Sequence, residues 1–135
     1  MSGLRCSEDA LNAASDMKRN KDYAYIIFGL VSNHIDVISK APRDATIEDL
    51  REELSAAAKQ RTGRYVIYYL PTDSGEDKFY FIEWLPDATP ARTKLLLRGS
   101  RDHVKGTLGP FHFYHEASEE DDISYEALER TRQGV

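Results

Sequence analysis

Four histidines and one cysteine are the first residues to test for chemistry. His112 and His115 stand three apart in "FHFYH", and in a strand that odd spacing sends their side chains to opposite faces, away from a shared metal ion. They read as satisfied or exposed histidines. His34 and His103 are isolated, with no cysteine or paired carboxylate at metal-ligand spacing. Cys6 has no histidine or metal-ligand neighbour to activate it, and a single cysteine forms no intramolecular disulfide. "KGTLGP" lacks the preceding strand and downstream pattern of a nucleotide-binding loop and reads as a helix stop. The acids Glu48, Asp49, Glu52 and Glu53, and those from Glu119 to Asp122, read as solvated faces. The first four also complement the positive start of their helix. No nucleophile with a base, metal-ligand cluster or phosphate cradle stands out, so the expectation is a binding protein, not an enzyme, with no metal and no cofactor.

Basic residues concentrate instead in "PARTKLLLRGSRDHVKGTL". At 100° per residue, Leu97, Val104 and Leu108 fall in one narrow arc, the core face, which leaves Arg92, Lys94, Leu95 and Asp102 toward solvent. Lys94, Arg98, Arg101 and Lys105 follow at spacings of four, three and four and form a cationic stripe along the flank. A solvated basic edge would explain charge alone. An outward leucine between cations has the chemistry of a protein-binding surface: an apolar anchor that loses water at the centre, with charges at the rim to orient the partner. Gly99 and Ser100 in mid-helix would permit a bend.

That helix needs a scaffold, and the chain supplies one. With 135 residues and 41% apolar content it is long enough for one core and too short to favour two domains. The formal net charge of -5 repels nucleic acid and anionic membrane as a whole, so any affinity for a polyanion must be local. There is no signal-peptide pattern and no long apolar run, which predicts a cytoplasmic protein. Ser7 opens a first helix with Leu11, Ala14 and Met17 at helical spacing. "YAYIIFGL" and "HIDVIS" form a hairpin across Ser32 and Asn33. A second helix runs from Thr46, its N-cap, to Lys59, with Leu50, Leu54 and Ala57 or Ala58 on one face. "RYVIYYL" and "KFYFIEWL" form a second hairpin around "PTDSGEDK", with Trp84 at its buried end. The basic helix follows, with Thr89 as N-cap, Pro90 at its first position and an end near Gly109 and Pro110. "FHFYH" from Phe111 is a last short strand. A strand, helix and strand in that order predict a parallel pair at one side of an otherwise antiparallel sheet. "SYEALERTR" closes the chain as a short helix.

The segment "WLPDATPARTKLLLRGSRDHVKGTL" resembles the signature of the actin-depolymerising factor/cofilin family, W-x-P-D-x-A-P-x-[KR]-x-K-M-x-Y-A-S-S-K-D-A. "MSG", "DMK", "YIIFGL", "RYVIYY" and "ISYEALER" resemble further family elements in the right order, over almost the whole chain. The resemblance implies an α/β (α+β) fold with a five-stranded mixed central sheet flanked by helices on both faces, as a single domain spanning 1–135. It also implies a monomer that binds monomeric and filamentous actin, preferring ADP-actin, and that severs and depolymerises filaments. The basic helix would enter a hydrophobic cleft of actin, an acidic protein, with Leu95 in place of the family's methionine. Position by position, the implied contacts with both actin forms are Ser2, Gly3, Arg92, Lys94, Leu95, Arg101 and Asp102. Ser2 is also the implied phosphorylation site, where about two added negative charges would repel an acidic partner. Lys78, Glu129 and Arg130 match the filament-side contacts, and Lys94, Arg98, Arg101 and Lys105 would meet phosphoinositide headgroups. Three departures stand out. Glu76 and Asp77 lie where the family often has cations, Gln133 replaces a second arginine, and Leu97 to Ser100 replace Y-A-S-S. Two other readings follow, a monomer-sequestering factor with a short acidic filament-binding loop, and a phosphoinositide-responsive membrane adaptor.

Overall fold

The computed structural model describes residues 4–71 and 76–134; the expectations for Ser2 and Gly3 lie outside them. In chain order the elements are β1 (Arg5–Cys6), α1 (Glu8–Asn20), β2 (Tyr23–Val31), β3 (His34–Pro42), α2 (Ile47–Lys59), β4 (Arg64–Pro71), β5 (Asp77–Trp84), α3 (Ala91–Leu108), β6 (Phe113–Ala117) and α4 (Tyr125–Gln133). The strands form one mixed sheet in the order β1-β3-β2-β4-β5-β6. Five of them are the expected ones. The sixth, β1, adds two residues beside β3, too few to leave an alternating pattern in the sequence.

Both hairpins form as the turn residues predict. Ser32 and Asn33 take left-handed backbone angles, φ 48° and 67°, which match the twist of the strands they join. The parallel pair is β5 with β6, in the register Tyr80↔Phe113 to Trp84↔Ala117. The last strand begins later than "FHFYH" suggested. Phe111 lies over the Phe81 ring and His112 accepts the Phe79 N–H at Nδ1, so these two side chains close the approach to the strand.

Helices cover both faces. One core packs Met17 of α1 and Leu97 and Val104 of α3 against Phe28, Ile67 and Phe81. The other packs Leu50 and Leu54 of α2 and Leu128 of α4 against Ile27, Tyr80 and Trp84. The central strands are buried on both sides, which is why "YVIYY" and "FYFI" read as nearly continuous apolar runs. In α1 the Ser7 hydroxyl caps the Ala10 N–H at 3.0 Å, as expected. Leu11, however, points outward, and Ala10 and Ala13 join Ala14 and Met17 on the buried side. Small side chains bring this helix close to the sheet, so the largest apolar residue misjudges its register. In α2 the Thr46 hydroxyl accepts the Asp49 N–H and the Asp49 carboxylate accepts the Thr46 N–H, a reciprocal cap.

The start of α3 is one residue later than predicted. Pro90 occupies the cap position, where its carbonyl accepts the Lys94 N–H at 2.9 Å; Thr89 is buried in the preceding turn and gives no side-chain cap. Gly109 ends the helix as expected, its N–H reaching the Lys105 carbonyl. The seat of α3 depends on Gly63, just before β4. A Cβ there would lie 2.7 Å from the Trp84 carbonyl oxygen and 2.9 Å from Cδ1 of both Leu85 and Leu97.

Candidate functional site

The candidate site is the outward face of α3, and its geometry follows from how the inner face is held. Leu97, Ser100, Val104 and Leu108 are buried. The Tyr65 hydroxyl donates to the Leu97 carbonyl, a buried tie from β4 to mid-helix. The Ser100 hydroxyl accepts the Leu4 N–H at 3.0 Å, so the N-terminal segment is fastened to the same helix. Gly99 and Ser100 therefore mark no break: α3 runs uninterrupted for 18 residues.

Opposite these anchors, Leu95 is 75% exposed, the most exposed of the large apolar side chains described. Arg92 and Asp102 are exposed and Lys94 half-exposed, as their helical angles predicted. Leu96, which the sequence reading left unassigned, is 36% exposed and widens the apolar patch. Only its place in the run "LLL" hinted at this, since three consecutive leucines cannot all face a core. Gly99 and Gly106 have nothing within 4 Å of where a Cβ would stand, so the helix surface is open at these two positions.

The cationic stripe is not uniform. Arg98 is exposed, and neither it nor Lys94 has an ion-pair partner among the described residues. Lys105 lies 4.7 Å from the Tyr114 ring centroid. Arg101 departs from the free cation expected of it. Its guanidinium lies over the same ring, 4.0 Å from Glu83 and 3.8 Å from Glu116, with Nε 3.4 Å from the Asp102 carboxylate. The reason is Glu83, a 4%-exposed carboxylate that burial pushes above the ordinary glutamate range and that Arg101 pulls back. Arg101 thus serves first as the counter-ion of a buried acid. The signal for this was a lone acid in the aromatic run "YFIEWL".

The second group of predicted residues sits across the sheet. Lys78 pairs in register with Leu70, whose side chain belongs to the α2/α4 core, so Lys78 projects on the α4 side. Its ammonium lies 3.2 Å from Glu76. In α4, Arg130 is exposed, whereas Glu129 is bound by Arg132 and by Gln133 Nε2 at 3.0 Å. Arg132 is accordingly neutralised by its own helix. The structure brings Lys78 and α4 onto one side of the sheet and puts α3 on the other.

His34, His112 and His115 each have a hydrogen-bond partner, and His103 is exposed. His115 is buried, with Nδ1 2.7 Å from the Thr131 hydroxyl and Nε2 2.7 Å from the Asp122 carbonyl, fastening β6 to α4. No cluster of three or more His, Cys, Asp or Glu side chains that could hold a metal ion occurs among the described residues. Among the described residues, no helix is long and apolar enough to cross a membrane.

A sheet with helices on both faces, and a basic helix exposing Leu95 and Leu96, describe a protein built to bind a partner, and sequence comparison names the class. The profile of the family described as cofilin/tropomyosin-type actin-binding protein matches residues 3–132, and the chain belongs to that family. It is 33% identical to a cofilin of Gibberella zeae over 143 aligned positions, covering 96% of this chain and 94% of the relative. It is 28% identical to actophorin of Acanthamoeba castellanii, covering 100% of this chain and 99% of the relative. In three dimensions it resembles the crystal structure of Streptomyces griseoflavus cofilin, with a TM-score of 0.81, 18% identity and coverage of 94% and 97%. That last likeness is one of fold.

Proposed function

We propose that this chain acts as one domain that binds actin monomers and filaments through the outer face of α3 and promotes filament disassembly by depolymerisation and severing. The observation that carries the reading is Leu95, three-quarters exposed on a helix whose other side is firmly anchored. A leucine in water on a rigid support has little to lose and much to gain from a partner's apolar cleft. Arg92 and Lys94 flank it and steer an acidic partner into register. Gly99 and Gly106 leave room for a partner along the next turns, with Asp102 exposed between them. Lys78, Glu129 and Arg130 form the proposed second contact, used only in the filament, and the N-terminal Ser2 and Gly3 a third. A phosphate on Ser2 would set two like charges against the acidic partner. Lys94, Arg98 and Lys105 are the cations offered to phosphoinositide headgroups, while Arg101 contributes less because Glu83 holds it.

The protein works by association alone, at the cytoplasmic actin cytoskeleton. Titrating labelled monomers and co-sedimenting filaments with increasing protein tests the reading. Saturable binding to both, with a rise in unsedimented actin, is expected. Absence of monomer binding would refute it.

A further inference from the structure

Lys18, in the last turn of α1, stands apart from the actin-facing surface. Its Nζ donates to the Leu108 carbonyl at the end of α3 and lies 4.8 Å from the centroid of the Phe111 ring. No described carboxylate pairs with it, whereas Lys21 is held by Asp77 and Lys78 by Glu76. The side chain borders an open groove between the two helices, with apolar walls from Leu11, Ala14, Leu108 and Pro110. Leu11, the residue whose outward position broke the expected pattern of α1, thereby gains a setting.

We propose that Lys18 is an acylation site, whose amine takes an acyl group from a small acyl thioester while the groove beside it seats the acyl chain. The free-base nitrogen attacks the thioester carbonyl carbon; the C–N bond forms, the C–S bond breaks, and the thiol departs with the proton the amine gives up. The product amide is neutral. It keeps one N–H for the Leu108 carbonyl but loses the attraction of an ammonium for the Phe111 ring.

Two features favour this lysine. Partial burial without a counter-charge brings its pKa down to about 8, so near that pH about half the molecules hold a free lone pair, against well under about 1% for an ordinary lysine. Arg19 is the other titratable side chain lining the groove; α3 and the following turn contribute only Thr107, Leu108, Gly109 and Pro110. Arg19 is itself paired with Asp16, 2.5 Å away. The groove also offers apolar contact to an incoming acyl group, which a lysine on an open helix face does not.

The test is to incubate the folded protein with acetyl-coenzyme A, and separately with butyryl-coenzyme A, and to measure initial acylation rates at each lysine by peptide mass spectrometry between pH 7 and 9. Lys18 should react at least about fivefold faster than exposed Lys59 at pH 7.5. Its rate should level off above a midpoint near 8, and its advantage should vanish in urea. Lys18→Arg keeps the charge and the helix-to-helix tie, so the protein should stay folded and lose only the fast adduct. A Lys18 rate equal to or below that of Lys59 in the folded protein overturns the proposal, and so does a fast adduct that persists in Lys18→Arg.

Discussion

Replacing Leu95 by alanine separates recognition from folding more cleanly than any other change on α3. The side chain is 75% exposed, so its removal takes almost nothing from the core; alanine is the better helix former, and stability should hold within about 0.5 kcal/mol. Full burial of a leucine is worth about 1.5–3 kcal/mol, and three-quarters of this one is still in water before binding. An actin cleft that takes it up therefore gains about 1.1–2.3 kcal/mol from this residue, which is about a 6- to 45-fold loss in monomer affinity for Leu95→Ala. The assay is a fluorescence titration of monomeric actin, run beside urea unfolding of the free protein. Leu97→Ala is the contrasting control. Its side chain is 1% exposed, and its truncation should cost about 2–5 kcal/mol of stability. If Leu95→Ala binds as tightly as the parent, or if its unfolding midpoint falls as far as that of Leu97→Ala, the assignment of the two helix faces is wrong.

Reversing Arg92 and Lys94 together to glutamate should lower affinity for both monomer and filament by more than about tenfold, with an unchanged circular dichroism spectrum, because neither side chain supports the core. Glu76→Lys removes a carboxylate 3.2 Å from the Lys78 ammonium and adds a cation, so filament co-sedimentation should strengthen up to about fivefold while monomer affinity stays fixed; no change in the pellet would refute the role given to this loop. Burial holds the folded-state pKa of Glu83 above its unfolded value near 4.5, so the protonated acid fits the fold better. The stability it contributes is complete below that unfolded value and is lost as pH rises through the folded one. Unfolding free energies of the parent, measured from pH 4 upward and taken relative to Glu83→Gln, should decline across that window; a difference that stays constant with pH would rule out the role given to Glu83.

Much of the fold was legible because local chemistry and packing agree. Ser7 and Thr46 as helix caps and the Ser32–Asn33 turn are short-range devices whose partners lie within three residues. The outward position of Leu95 was legible for the same reason, since helical angle alone fixes it. What stayed hidden depends on contacts between distant segments. Arg101 looked like its neighbours in the stripe until Glu83 on β5 turned it inward, and no spacing rule links residues on different elements. The register of α1 was misjudged because alanine carries little apolar signal, although it is the residue that fits against the sheet. Thr89 had the right chemistry for a cap but lost the position to a proline, which has no side-chain acceptor to offer the first turn.

Gly63 carries a final consequence. Where the approach to β4 meets Trp84, Leu85 and Leu97, there is no room for even one methyl group. Anything larger at that position would act as a shim beneath α3, prying its leading half away from the sheet and tilting Arg92, Lys94 and Leu95 as one unit. The aim of the exposed face is thus set from underneath, by a residue that no partner touches. Drift in the interior could re-target this helix without altering a single surface side chain.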